Sequence, residues 1–135
     1  MTEKMKIIDF LRENQLDAIF VQKDENCRYL SKFTGSDSYL LLTKEELYLL
    51  TDSRYTEQAR KESADYTVVD YKGHLAEIVA KLAGEYHIKT MGVETVFSYQ
   101  MYLSFHEYMP NIEFRFSQIA VSYTHLRAHE TSLHL

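Results

Sequence analysis

The residues that could do chemistry are few, and their spacing narrows what they could do. Six histidines occur, at positions 74, 87, 106, 125, 129 and 134. His74, His87 and His106 sit in different segments and share no ligand spacing. His106 and Glu107 are adjacent, and adjacent residues on a helix face different ways. His125 and His129 stand four apart with Glu130 following, a spacing that on a helix can share a metal ion. The zinc-peptidase pattern needs Glu directly after the first His, and Leu126 occupies that place. A third ligand and a general base are also missing, so no catalytic metal site is expected within this chain. Cys27 is the only cysteine, which excludes an internal disulfide. With no second thiol for a metal, it is expected to be an inert, partly buried group.

Nucleophile and phosphate motifs are equally sparse. Thr34-Gly35-Ser36-Asp37-Ser38 is not a Gly-x-Ser-x-Gly elbow, and Gly35 is too isolated for a phosphate-binding loop. Asp37, Asp52 and Arg54 are more informative. They flank two apolar runs, and loops beyond strand ends are common places for ligand contacts. The plainer alternative makes Asp52 a helix cap and Arg54 an ion-pair partner.

The elements that must position these residues follow from periodicity. Residues 5–13 space Met5, Ile8 and Leu11 as one helical face, and Asn14 is a plausible left-handed exit. Residues 18–21 form a short apolar strand. Asp24 could cap a helix running to Leu30, and residues 33–38 make a loop. Residues 39–43 and 47–51 are apolar runs joined by Lys44-Glu45-Glu46, which predicts an antiparallel hairpin. Neither run alternates strictly, so the hairpin belongs inside a covered sheet. Asp52 or Ser53 could cap a helix over residues 55–61. A strand over 66–69, a helix over 74–83 stopped by Gly84 and a strand over 88–93 follow. A helix capped by Ser98 is ended by Pro110. Ile112, Phe114 and Phe116 alternate with Glu113 and Arg115, as a half-buried strand near a sheet edge does. This order predicts a three-layer α/β domain with a mixed sheet of five or six strands.

Bulk properties limit the partners. With 135 residues the chain holds one domain of ordinary size. Its net charge of -5, with the basic residues scattered, argues against nucleic acid. The longest aliphatic stretch, residues 40–42, is far too short to cross a bilayer. The N-terminus lacks the apolar core of a signal peptide, so a cytoplasmic location is expected. Eleven tyrosines and seven phenylalanines suit ordinary core and half-buried packing, with the alternative that some line an interface.

Three blocks carry a resemblance. Asn26-Cys27-Arg28-Tyr29-Leu30 leads into Phe33-Thr34-Gly35-Ser36. The apolar hairpin comes next, and then Thr51-Asp52-Ser53-Arg54-Tyr55-Thr56-Glu57-Gln58-Ala59. In order and spacing they resemble the N-terminal domain of the Xaa-Pro aminopeptidase, prolidase and creatinase family. Val93-Glu94 and the strand over 112–116 extend the similarity across residues 3–120.

The resemblance implies a creatinase-type α/β N-terminal domain over residues 1–120. The parent would carry its chemistry in a separate C-terminal domain of the pita-bread fold. In peptidase members that domain binds two divalent metal ions, often manganese, through two Asp, one His and two Glu. A metal-bound hydroxide there attacks the bond preceding proline. No metal ligand and no catalytic residue is assigned within this chain, and no cofactor is expected in it. The resemblance also implies a homodimeric or homotetrameric parent acting on proline-containing peptides. Phe33, Gly35, Asp37, Asp52, Arg54 and Tyr55 are the candidates for the substrate entrance or an intersubunit contact. Arg54 offers a rigid fork of donors suited to a carboxylate. Asp37 and Ser38 depart from the small residues usual after Gly35-Ser36.

Residues 121–135 depart from the family pattern and resemble a translated adapter. They are expected to be a non-native tail, with a natural C-terminal helix as the alternative. A prolidase or creatinase-like hydrolase, or a stand-alone binding module, are the other functions compatible with the resemblance.

Overall fold

The computed structural model describes residues 3–116. Five helices and six strands alternate along them. The first half holds α1 (Glu3–Glu13), β1 (Ala18–Val21), α2 (Asp24–Ser31), β2 (Tyr39–Thr43) and β3 (Leu47–Thr51). A single 3-10 turn (Ser53–Tyr55) then leads into α3 (Thr56–Glu62). The second half holds β4 (Thr67–Asp70), α4 (Leu75–Glu85), β5 (Thr90–Val93), α5 (Tyr99–Tyr108) and β6 (Glu113–Phe116). The expected tail over residues 121–135, with His125, His129 and His134, lies outside the described residues.

The strands form one mixed sheet in the order β4-β3-β2-β1-β5-β6. β2 pairs antiparallel with both β3 and β1, while β3–β4, β1–β5 and β5–β6 are parallel. The hairpin is central, as its unbroken apolar runs require, because both of its faces are covered. On one face Ile19, Val21, Leu40, Leu42, Leu47 and Leu49 meet α1, α2 and α3 through Ile7, Leu11, Leu30 and Ala59. On the other, Phe20, Leu41, Leu50 and Met91 meet α4 and α5 through Val79, Ala83 and Phe105. The three-layer α/β expectation therefore holds, with six strands and β6 at an edge.

Local expectations fail mainly at helix ends. Gln15, not Asn14, takes the left-handed conformation after α1, with φ 57°. Asn14 instead turns its amide back to the Phe10 carbonyl at 2.9 Å. Gly84 does not stop α4 but lies inside it, and His87 makes the turn at φ 55°. Both exits share a cause. The backbone N–H of buried Leu16 bonds to Leu11 O at 2.9 Å, and that of buried Ile88 to Ala83 O at 3.1 Å. A buried residue thus folds back over the last turn, and whatever precedes it must go left-handed. Asp24 does not cap α2; Lys23 is the cap residue and gives no side-chain bond. Just ahead of the helix, Glu94, which follows β5, accepts the backbone N–H groups of Gln22 and Lys23.

Candidate functional site

The carboxyl ends of β1, β3, β4 and β5 and the start of β2 gather at one end of the sheet. The loop after α2, the turn after β3 and the residues after β4 meet there. Asp52 directly follows β3 and caps the next turn, accepting the Arg54 backbone N–H at 2.9 Å. The Arg54 side chain then folds back on the same carboxylate, Nε to Oδ1 at 3.1 Å and Nη2 to Oδ2 at 2.7 Å. Two bonds in a fork fix the guanidinium plane, and it lies over the Tyr55 ring at 5.1 Å. Asp37 approaches the same Nη2 at 3.9 Å from the neighbouring loop. The hydrogen bonds from Arg54 hold the Asp52 carboxyl below the usual carboxylate range, and the Asp52 contact pushes the guanidinium up in turn.

Behind this exposed cluster stands an aromatic wall. Tyr71 donates to the Asp37 carbonyl at 3.4 Å and meets the Tyr39 ring edge-on at 5.8 Å. Tyr39 stacks on buried Phe20 at 5.6 Å. Burial raises both phenol pKa values above the ordinary range, so both hydroxyls are neutral near neutral pH.

The six residues expected to act here are brought together, with different exposures. Asp37 and Arg54 are exposed, and Asp52 and Tyr55 are half-buried. Phe33 is in the core at 1% exposure, edge-on to Tyr55 at 6.4 Å. Gly35 lies against the Phe33 ring. Arg54 is consequently a partly committed donor, its Nε and Nη2 occupied by Asp52.

Two polar anchors escaped the sequence reading. Glu62 on α3 accepts from the Thr34 N–H at 2.8 Å and the Thr34 hydroxyl at 3.0 Å, with Gln58 bridging to both residues. It clamps the 33–37 loop to the helix. Glu94, only 1% exposed, follows β5. Its carboxylate accepts the backbone N–H groups of Gln22 (2.6 Å) and Lys23 (2.8 Å) and the Asn26 amide (2.5 Å). That joins β5 to β1 and the start of α2. An acid directly after an apolar strand was the available signal for Glu94. Gln58, inside the third sequence block, was the signal for the clamp.

Cys27 is buried at 2% exposure. Burial first, then the nearby Glu94 and Asp24 charges, raise its thiol far above the ordinary range, so it stays protonated and unreactive. Among the described residues no three His, Cys, Asp or Glu side chains form a group that could hold a metal ion. Among the described residues the geometry offers an exposed, ordered polar rim.

Comparison with known proteins agrees with this picture. The family model of the creatinase/prolidase N-terminal domain matches residues 5–127. The Xaa-Pro dipeptidase of Pyrococcus horikoshii is 33% identical over 101 residues, 73% of this chain and 27% of that protein. The uncharacterized peptidase YqhT of Bacillus subtilis is 29% identical over 105 residues, 73% of this chain and 30% of that protein. The chain thus spans less than a third of the length of these curated relatives. Among solved structures, the Xaa-Pro dipeptidase from Bacillus anthracis superposes with a TM-score of 0.77 at 30% identity, over 89% of this chain and 35% of that one. The N-terminal domain of the cytoplasmic peptidase PepQ from Mycobacterium tuberculosis gives 0.79 at 26% identity, over 89% of this chain and 96% of that one. With the six-stranded sheet, the sequence blocks and the matched span in agreement, the chain belongs to the creatinase/prolidase N-terminal domain family.

Proposed function

We propose that this chain is the non-catalytic N-terminal domain of a metal-dependent Xaa-Pro aminopeptidase whose parent protein cleaves the bond preceding proline. One observation carries this. The chain covers 96% of an isolated peptidase N-terminal domain but 35% of a full Xaa-Pro dipeptidase. The divalent metal ions, often manganese in this family, would be held by residues of the remaining part. The domain's own work is then positional. Asp37, Asp52, Arg54 and Tyr55 form a rim at the substrate entrance or against another subunit, and Phe33 and Gly35 hold that rim from behind. A homodimeric or homotetrameric parent fits the family, and a cytoplasmic location fits the PepQ relative, a cytoplasmic peptidase. No described helix is long and apolar enough to cross a membrane.

The dipeptidase names among the relatives favour a second reading, a prolidase, which differs only in the length of peptide accepted. The test is an assay of the purified 135-residue chain with Xaa-Pro peptides and Mn²⁺. No cleavage is expected. Reproducible metal-dependent turnover that survives repurification would contradict the assignment of the chemistry to another domain.

A further inference from the structure

α4 and α5 pack against each other on one face of the sheet. Ala76 faces the space between them with only a methyl group, and a groove of about 420 Å³ opens there. That volume is ordinary for a ligand pocket, roughly 300–1,000 Å³. The floor is apolar. Phe105 is fully buried, and Leu75, Ala76 and Met101 are half-buried beside it. Met101 and Phe105 stand four residues apart, so they share one face of α5. The walls are acidic. Glu77 rises from α4 and Glu107 from α5, and both are exposed. Neither carboxylate forms an ion pair among the described residues. Lys81 follows Glu77 by one helical turn and Lys72 precedes the turn into α4, yet neither lines the groove. His74 is the one basic residue type on its lining.

We propose that this groove docks a lysine side chain of a polypeptide partner. Its aliphatic stem lies along Leu75, Met101 and Phe105, and its ammonium sits between Glu77 and Glu107. Charge complementarity selects this occupant. A carboxylate would meet like charge on both walls. An uncharged apolar side chain would cover the floor and leave the two acids without a counter-ion. A stem that buries its methylenes while its charged head stays at the water surface satisfies floor and walls together. Lysine has the longer unbranched stem of the two strong bases. Its ammonium is a compact charge that needs no planar partner, which suits two carboxylates carried on separate helices. The groove lies apart from the Asp52–Arg54 rim, and the inference does not depend on the peptidase assignment.

The test is an NMR titration of the full 135-residue chain with the peptide acetyl-Ala-Lys-Ala-amide. Two control peptides carry norleucine, which keeps the stem without the charge, or glutamate in place of lysine. Saturable shifts are expected at Leu75, Ala76, Met101 and Phe105 with the lysine peptide. The norleucine peptide should bind about fivefold more weakly, the scale of one or two exposed ion pairs, and the glutamate peptide should not saturate. Glu77→Gln/Glu107→Gln should reduce the lysine peptide to the level of the norleucine one. Ala76→Leu fills the groove and should abolish binding of both, with circular dichroism unchanged. Lysine and norleucine peptides of equal affinity, or no saturable shift at these four residues, would overturn the proposal. Free spermidine that saturates the groove where the lysine peptide does not would overturn the polypeptide partner. Gln variants that keep the preference for lysine would overturn the role of the two acids.

Discussion

The Phe33 ring occupies the space that a side chain on Gly35 would need. An ideal Cβ at residue 35 would lie 2.8 Å from Phe33 Cε2 and closer still to Cζ. Only a glycine lets the chain double back over its own aromatic ring, which is then sealed into the core beneath the rim. Gly35→Ala should therefore displace Phe33 and destabilise the domain by about 1–3 kcal/mol. Urea unfolding followed by tyrosine fluorescence checks this; an unchanged midpoint would show that the ring has room to move.

Glu62 ties the same loop to α3, and its charge state is legible in solution. The backbone N–H of Thr34, then the hydroxyl of Thr34 and the amide of Gln58, hold its carboxyl below the ordinary range. The folded value is thus lower than the unfolded one of about 4.3. The clamp is at full strength above the unfolded value and is lost as pH falls through the folded one. The Thr34 amide chemical shift should titrate with a midpoint below about 4.3, and this titration should vanish in Glu62→Gln. A midpoint at or above that value would contradict the clamp.

The buried Glu94 carboxylate serves three donors at once. Glu94→Ala leaves the Gln22 and Lys23 N–H groups and the Asn26 amide without their acceptor. The Asn26 amide is buried and the two backbone donors are partly buried; a stranded buried donor costs about 1–3 kcal/mol, so a loss of about 1–3 kcal/mol is expected. Glu94→Gln should cost much less. One side-chain oxygen remains for the two backbone donors, and Asn26 can flip its amide to accept from the new NH₂ group. Chemical denaturation of both variants checks the order; equal losses would show that the carboxylate is not the acceptor that matters.

Legibility in the sequence follows the range of the interactions. The hairpin was readable because apolar runs and a three-residue polar connection are local signals. The Asp52 cap was readable for the same reason, and so was an ion-pair role for Arg54, though the structure is what names Asp52 as the partner. Gln15 and His87 were not, because their left-handed turns are dictated by the burial of Leu16 and Ile88, which only the packed core decides. The anchors of the site are more remote still. Thr34 and Glu62 are 28 residues apart, and Asn26 and Glu94 are 68 apart. No pattern along the chain announces that such pairs meet. The exposed rim was therefore visible at its Asp52–Arg54 core, and the framework that holds it was not.

We propose that this domain shapes another domain's chemistry and performs none. The most direct measurement replaces the N-terminal domain of the Bacillus anthracis Xaa-Pro dipeptidase with this one and follows Mn²⁺-dependent cleavage of Xaa-Pro peptides. The chimera is expected to cleave them. Arg54→Ala in that chimera should raise KM several-fold or reduce its oligomeric mass, with the fold intact. A folded, metal-loaded chimera without activity, or one indifferent to Arg54 in both KM and mass, would contradict the account.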